Sequence, residues 1–238
     1  MDIETTVHLE QAFMVGFYDG HTYKLFEDHR KSISQPHFPE DARGPVSQFL
    51  SWLFANKVYV NHWIYAHNGG SFDFLYLIRW LIAHTEEYSF NVVPLQSSIL
   101  CLEVTEKRRR GRRKTPLTWT FLDSYRLMNA GLEKLGKALV GQGKTVKQHL
   151  DGSIVDEKSK VEVERFYGTL HRNKQRYEYL RQDCVLLYRC LEEFAGMVLG
   201  VGGGLGMTAP SSAMKTFRRM HLDKWVPINA CFPECECP

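Results

Sequence analysis

The sequence predicts an α/β fold over residues 1–198, on three observations. Short runs of alternating apolar residues come first, near residues 2–7 and 12–18. Strand-like and helix-like runs then alternate along the chain, the order expected when helices cover the faces of a sheet. Finally, the stripe Leu180, Cys184, Leu187, Leu191, Phe194 and Val198 advances by four and three residues, which fixes a long helix with one buried face. Residues 199–238 form an annex: a Gly cluster at 202–206, a short helix and an irregular tail.

Asp19-Gly20 is a turn dipeptide between Phe13, Val15 and Phe17 on one side and Tyr23 and Leu25 on the other, so residues 12–25 read as a hairpin. A helix from about Pro45 to Asn56 follows, with proline in its first turn and Phe49, Trp52 and Leu53 on one side. Residues 57–66 read as a buried strand and 72–83 as a helix opened by Asn68-Gly69-Gly70-Ser71. Strands are predicted near 89–94, 98–105 and 117–123, and helices near 131–140, 159–172 and 174–198. Ser211 or Ser212 is the expected cap of a last helix reaching about His221.

The chain has 238 residues, 44% hydrophobic and 24% charged, a composition that excludes disordered, collagenous and coiled-coil classes. No apolar run is long enough to span a membrane; the best, Phe72 to Ile82, is broken by Arg79. The first residues are acidic and carry no secretory signal, so a cytoplasmic location is expected. The net charge of +3 is local in origin. Lys107, Arg108, Arg109, Arg110, Arg112, Arg113 and Lys114 crowd around Gly111 between two strand patterns, and without them the balance turns acidic. Such a run repels itself unless it meets an anion, so nucleic-acid contact is expected there, with a solvated loop as the alternative.

Three segments place acids where a core would not. Asp2 and Glu4 sit at i and i+2, on one face of a strand. Alone they read as a solvated strand end. Asp73 stands between Phe72 and Phe74 at the start of an apolar helix, where the helix dipole by itself accounts for an acid. Tyr179 and Asp183 are one helical turn apart beside the long stripe, a spacing that also suits a plain Tyr–Asp hydrogen bond. Together these four carboxylates are the oxygen-donor set that a pair of divalent cations takes when it clamps the attacking and leaving oxygens of a phosphodiester displacement.

In that order, Asp2-Ile3-Glu4, Asn68-Gly69-Gly70-Ser71-Phe72-Asp73 and Tyr179-x-x-x-Asp183 resemble the three exonuclease motifs of family B DNA polymerases, of the DEDDy type. The type with histidine requires His at 178, which is Glu178. Gly16-Phe17-Tyr18-Asp19-Gly20, Tyr65-Ala66-His67-Asn68 and Tyr179-Leu180-Arg181-Gln182-Asp183-Cys184 are similar to the protein-primed polymerases of tectivirus-like phages and linear plasmids. The resemblance covers about residues 1–222. It implies an RNase H-like mixed sheet flanked by helices and 3′→5′ excision from single-stranded DNA ends with two Mg²⁺ or Mn²⁺ ions.

Carried over by position, Asp2, Glu4, Asp73 and Asp183 are the implied metal ligands, and Tyr179 the residue that positions the attacking water. Asn68, Phe72 and Ser124 are the implied contacts to the single strand; Phe72 would stack on a base. A catalytic lysine is implied as well, and both Lys144 and Lys147 qualify. No polymerase motif, neither Asp-x-x-Ser-Leu-Tyr-Pro nor Asp-Thr-Asp, occurs in the sequence, so no DNA synthesis is expected from this chain. Residues 199–238 resemble the start of a polymerase module, and the implied partners are a separate polymerase module or a terminal protein. With only Met1 ahead of Asp2, the first strand is expected to fray and Asp2 to be loosely held.

Two other readings fit the same residues: a non-catalytic module that binds single strands or a polymerase, and an RNA-directed exonuclease of the same superfamily. Cys231, Cys235 and Cys237 lack a paired Cys-x-x-Cys knuckle and are a weak zinc signal.

Overall fold

A computed structural model describes residues 1–5, 11–27, 44–107, 116–148, 151, 153–170 and 175–222. The antiparallel strands β1 (Asp2–Thr5), β2 (Ala12–Tyr18) and β3 (Tyr23–Glu27) form one sheet in that order. A second sheet runs β4-β7-β6-β5, built from β4 (Trp63–Ala66), β5 (Tyr88–Leu95), β6 (Ser98–Glu106) and β7 (Thr118–Asp123). It is mixed: β4 and β7 are parallel, while β6 is antiparallel to both β7 and β5. The Met1 amino group donates to the Tyr65 carbonyl oxygen at 2.6 Å, which ties the start of β1 to β4.

The faces of β1 follow from its period of two. Ile3 lies opposite Val15 on β2, and both enter the main core with Phe49, Leu50 and Leu53 of α1 (Pro45–Ala55) and Phe74, Leu77 and Leu81 of α2 (Asp73–Ala83). Asp2 and Glu4 lie opposite Gly16 and Met14 and face the other way. On that side runs the long helix α6 (Gln175–Gly200). A Cβ at Gly16 would sit 2.9 Å from both Cys184 Sγ and Leu180 Cγ, so glycine is what lets α6 lie directly on β2. This contact draws Asp183 toward Asp2.

Fraying of the first strand is not what the structure shows. β1 is paired with β2 from Asp2 onward, Met1 is buried, and the Ile3 N–H donates to Asp73 Oδ1 at 2.9 Å. Backbone pairing on one side and a carboxylate on the other hold Asp2.

Most predicted elements occur, with four differences. The strand expected over 57–66 is only Trp63–Ala66. Lys57–Tyr59 form a tight helical turn, Val58 is exposed, and Asn61 takes the left-handed conformation (φ 61°), which turns the chain before the strand begins. The helix expected over 131–140 is α4 (Leu132–Leu135), continued by a wider turn at Gly136–Val140 and preceded by an unpredicted short α3 (Tyr125–Met128). The last helix, α7 (Ala209–His221), is capped by Thr208, whose side chain accepts from the Ser211 N–H in a reciprocal box. Helix α5 spans Lys160–Leu170, and residues 171 and 172 of its predicted range lie outside the described residues.

Cys184 and Cys190 are buried free thiols, as small core residues of α6. No helix among the described residues is long and apolar enough to cross a membrane.

Candidate functional site

Four segments meet at one cleft of about 380 Å³, lined among others by Asp2, Glu4, Asn68, Phe72, Asp73, Lys144, Lys147, Tyr179 and Asp183. All five predicted catalytic positions are therefore brought together, from β1, the start of α2 and α6. Asp73 is buried at the first turn of α2, fixed by the Ile3 N–H. Glu4 and Asp183 are buried too, 7% and 3% exposed, and Asp183 Oδ1 has no hydrogen-bond partner among the described residues.

Such crowding raises the cost of charge. Burial pushes the Asp73 and Glu4 carboxyls well above the ordinary carboxylate range, and the Asp2 charge adds to it in both cases. Asp2 is raised by burial against the pull of Lys144. Asp183 is pushed up to about 6, by burial first, while the Lys144 ammonium holds it down.

Lys144 Nζ lies 2.5 Å from Asp183 Oδ2. Burial alone would lower the pKa of this lysine; the Asp183, Asp2 and Glu4 charges turn the shift upward, so it is a fixed cation. Lys147 lines the same cleft, with Nζ 6.0 Å from the Tyr179 ring centre and 3.6 Å from Glu157 Oε1, and its charge acts on Glu4 ahead of that of Lys144. Lys144 is thus joined to an acidic motif residue, and both of the lysines that sequence left open line the cleft. Tyr179 is buried with its ring edge-on to Phe166 (centroids 5.7 Å apart), and the Lys144 ammonium lies 5.7 Å from its ring centre.

A divalent cation fits this donor set chemically: the ligands on offer are buried oxygens, one without a partner, with more negative charge than Lys144 offsets. Among the described residues, however, no three His, Cys, Asp or Glu side chains stand close enough together to hold a metal ion between them.

Asn68 is exposed in the left-handed conformation (φ 60°), and Phe72 is half-buried with its ring edge-on to Tyr76. Both line the cleft. Ser124 does not. It is fully buried, its hydroxyl donates to the Ala66 carbonyl at 3.1 Å, and His67 Nδ1 lies 3.0 Å from the Ser124 hydroxyl oxygen. A direct contact from Ser124 to a strand is corrected by this burial. His67, to which the sequence assigned no role, is held neutral: burial, then Lys144, lowers its pKa to about 4.

Asp123 is the other residue missed. It is fully buried at the end of β7, and Oδ1 accepts the Tyr125 N–H at 3.0 Å. Burial raises its pKa; the N–H groups of Tyr125, Gly70 and Asn68 act against the rise. Among the described residues Oδ2 has no hydrogen-bond partner of full geometry, so the Gly70 and Asn68 N–H groups act on the carboxylate without completing one. The sequence signal is its place in Asp123-Ser124-Tyr125, which resembles a family segment that holds the single strand and from which only Ser124 takes a role.

Of the basic tract, Arg108, Arg109, Arg110, Arg112, Arg113 and Lys114 lie outside the described residues. Lys107 anchors its root, with its N–H on the Glu87 carbonyl at 2.7 Å and its ammonium on the Thr85 carbonyl. This root is at the far end of β6 from Ile99, whose carbonyl adjoins Gly70. At 3.2–3.4 Å per residue, roughly 26 Å of strand separate the two. Cys231, Cys235 and Cys237 also lie outside the described residues.

A mixed sheet flanked by helices, with the long helix laid on the strands beside it, defines an RNase H-like α/β class. Residues 55–232 match the family of type B DNA polymerases, organellar and viral, and the chain belongs to that family. It is 24% identical over 239 residues to the DNA-directed DNA polymerase of Enterobacteria phage PRD1, across 97% of this chain and 31% of that one. Phi29 DNA polymerase complexed with single-stranded DNA shares the fold, at a TM-score of 0.58 and 17% identity over 91% of this chain. The same polymerase complexed with primer-template DNA gives 0.58 and 16%. These neighbours establish the RNase H-like fold and the kinship with protein-primed polymerases. The chain spans about a third of the length of either relative.

Proposed function

We propose that residues 1–198 form a 3′→5′ exonuclease acting on single-stranded DNA ends, and that residues 199–238 link it to a polymerase module. The observation that supports this best is the convergence of Asp2, Glu4, Asp73, Tyr179 and Asp183 on one cleft from three separate elements. Kinship with polymerases that copy DNA supports DNA as substrate, and a Phi29 relative described in complex with single-stranded DNA supports an unpaired strand.

Asp2, Glu4, Asp73 and Asp183 would hold Mg²⁺ or Mn²⁺. Such ions supply an activated water and neutralise charge on the phosphate undergoing attack. The chain's own residues do the rest. The Tyr179 hydroxyl orients the incoming water. Lys144, cationic throughout the neutral range, offsets negative charge at Asp183 and at the phosphate. Phe72 offers a ring for base stacking, which is tolerant of sequence, and the Asn68 amide offers hydrogen bonds to the terminal nucleotide.

A non-catalytic binding module is the second reading, favoured by the Lys144–Asp183 ion pair and by the lack of three converging ligands among the described residues. Digestion of oligonucleotides labelled at either end, DNA and RNA, in Mg²⁺, Mn²⁺ or chelator separates the readings. Stepwise, metal-dependent loss of nucleotides from 3′ DNA ends is expected. Binding without cleavage in either metal would leave the module reading, and preference for RNA would overturn the substrate.

A further inference from the structure

The turn Asn68–Phe72 is an unusual piece of backbone on which to mount strand contacts. Asn68 is left-handed, which non-glycine residues adopt at a cost, and Phe72 sits at φ −142°, ψ −75°, outside the common regions. Such conformations persist only where the surroundings over-determine them. On one side the turn is pressed against β6: a Cβ at Gly70 would fall 1.8 Å from the Ile99 carbonyl oxygen. On the other, the same Cβ would sit 3.1 Å from Asp123 Oδ2. The turn is thus wedged between a strand backbone and a fully buried carboxylate toward which its Asn68 and Gly70 N–H groups turn.

We propose that Asp123 is a positioning residue for strand binding, whose carboxylate holds the Asn68–Gly70 turn in the form that presents Asn68 and Phe72 to the cleft. It touches neither the cleft nor the reacting atoms. A charge buried this deeply, with one oxygen unpartnered, is costly to keep unless it is used, and an apolar residue would finish β7 at lower cost. What an acid supplies here is attraction for the N–H groups of Tyr125, Gly70 and Asn68, and secondarily for the Arg126 guanidinium. Next to it, Ser124 and His67 fasten the same two strand ends, with the Ser124 N–H on the Ala66 carbonyl at 2.9 Å. The end of β4 and the end of β7 are therefore bolted together beneath the turn. The proposal rests on the reading that Asn68 and Phe72 take the 3′ end.

Asp123→Asn tests it, since the amide keeps the size and an oxygen for the Tyr125 N–H but loses the charge. Hydrolysis of a 3′-ended oligo-dT is measured in Mn²⁺, and binding of the same oligonucleotide by anisotropy in chelator. KM and the chelator Kd are expected to rise about tenfold with kcat within about twofold, and with thermal unfolding cooperative at an unchanged midpoint. In a double variant with Asn68→Ala, Asp123→Asn should add little, because both act through one turn. Unchanged KM and Kd, a loss confined to kcat, additive effects, or an Asp123→Asn protein that no longer folds would each overturn the proposal. Wild-type protein that binds the oligonucleotide without cutting it would sink the nuclease reading alone, and the chelator arm would still decide this one. Failure to bind at all would remove both.

Discussion

Lys144 places its ammonium 2.5 Å from Asp183 Oδ2, while the second oxygen of that carboxylate is buried with no hydrogen-bond partner among the described residues. One half of the group is thus neutralised by the chain and the other half is left for something else. Lys147, three residues on, pairs with Glu157, whose side chain is 74% exposed. The two lysines should separate in activity. Lys144→Ala is expected to lower kcat at least a hundredfold, as charged groups at phosphoryl sites do, and Lys147→Ala by less than about tenfold. Steady-state rates on a 3′-labelled strand check it; equal losses would deny Lys144 its place.

Because burial lifts Asp183 from 3.8 to about 6, and lifts Asp2, Glu4 and Asp73 as well, the folded chain holds protons here more tightly than the unfolded one. The contribution of Asp183 to stability is therefore whole below 3.8 and is lost as pH rises through about 6. At 1.36 kcal/mol per pH unit the loss is on the order of 2–3 kcal/mol. In chelator, Asp183→Asn should accordingly be more stable than wild type at pH 8 and much closer to it at pH 4. Melting curves across that range test the sign, and a variant less stable at pH 8 would reverse it. Mn²⁺ should raise the wild-type midpoint at pH 8 and lose that effect below about pH 6, since its ligands must be deprotonated.

Gly16 sets how closely α6 approaches β1 and β2. A methyl group there meets Cys184 Sγ and Leu180 Cγ at 2.9 Å, so Gly16→Ala should push the helix outward and carry Asp183 with it. The expected stability cost is about 1–3 kcal/mol, with a disproportionate fall in kcat. Denaturant melts alongside rates check this. Full activity would mean that the helix gives way without moving Asp183.

Lys107, the one described residue of the basic tract, follows the end of β6 opposite the cleft. Changing the tract's seven Lys and Arg to Ser should flatten the salt dependence of binding to long single strands, each lost phosphate contact removing a log–log slope of about 0.7. kcat on a short oligonucleotide should be unaffected. Anisotropy titrations over a range of salt decide it, and an unchanged slope would return the tract to a solvated loop.

Much of this fold is legible in the order of its residues. Local periodicity places β2, α1, α2, β6, β7 and α6, because one buried face per element writes its period into the chain. The acids stand out by the same logic, since Asp73 and Asp183 interrupt apolar stretches that have no use for a charge. Local signals mislead where a turn competes with a pattern, as at Lys57–Tyr59, where an apolar run gives way to an asparagine-led bend. Resemblance to a family segment selects Ser124 as a strand contact; packing buries it beside His67.

Residue types and their spacing are enough to name the chemically eligible groups: four carboxylates, a tyrosine one turn from the last of them, and two lysines. Which of these meet is a matter of the folded chain. Asp2 and Asp183 are 181 residues apart in the chain. They face one cleft because β1 pairs with β2 in a register that sets Asp2 opposite Gly16, and the missing side chain at Gly16 lets α6 close on the same spot. The ion pair of Lys144 with Asp183, the anchoring of β1 and the burial of Asp123 beside the Asn68 turn arise the same way. Each depends on distances across the fold, and composition or periodicity carries no record of those.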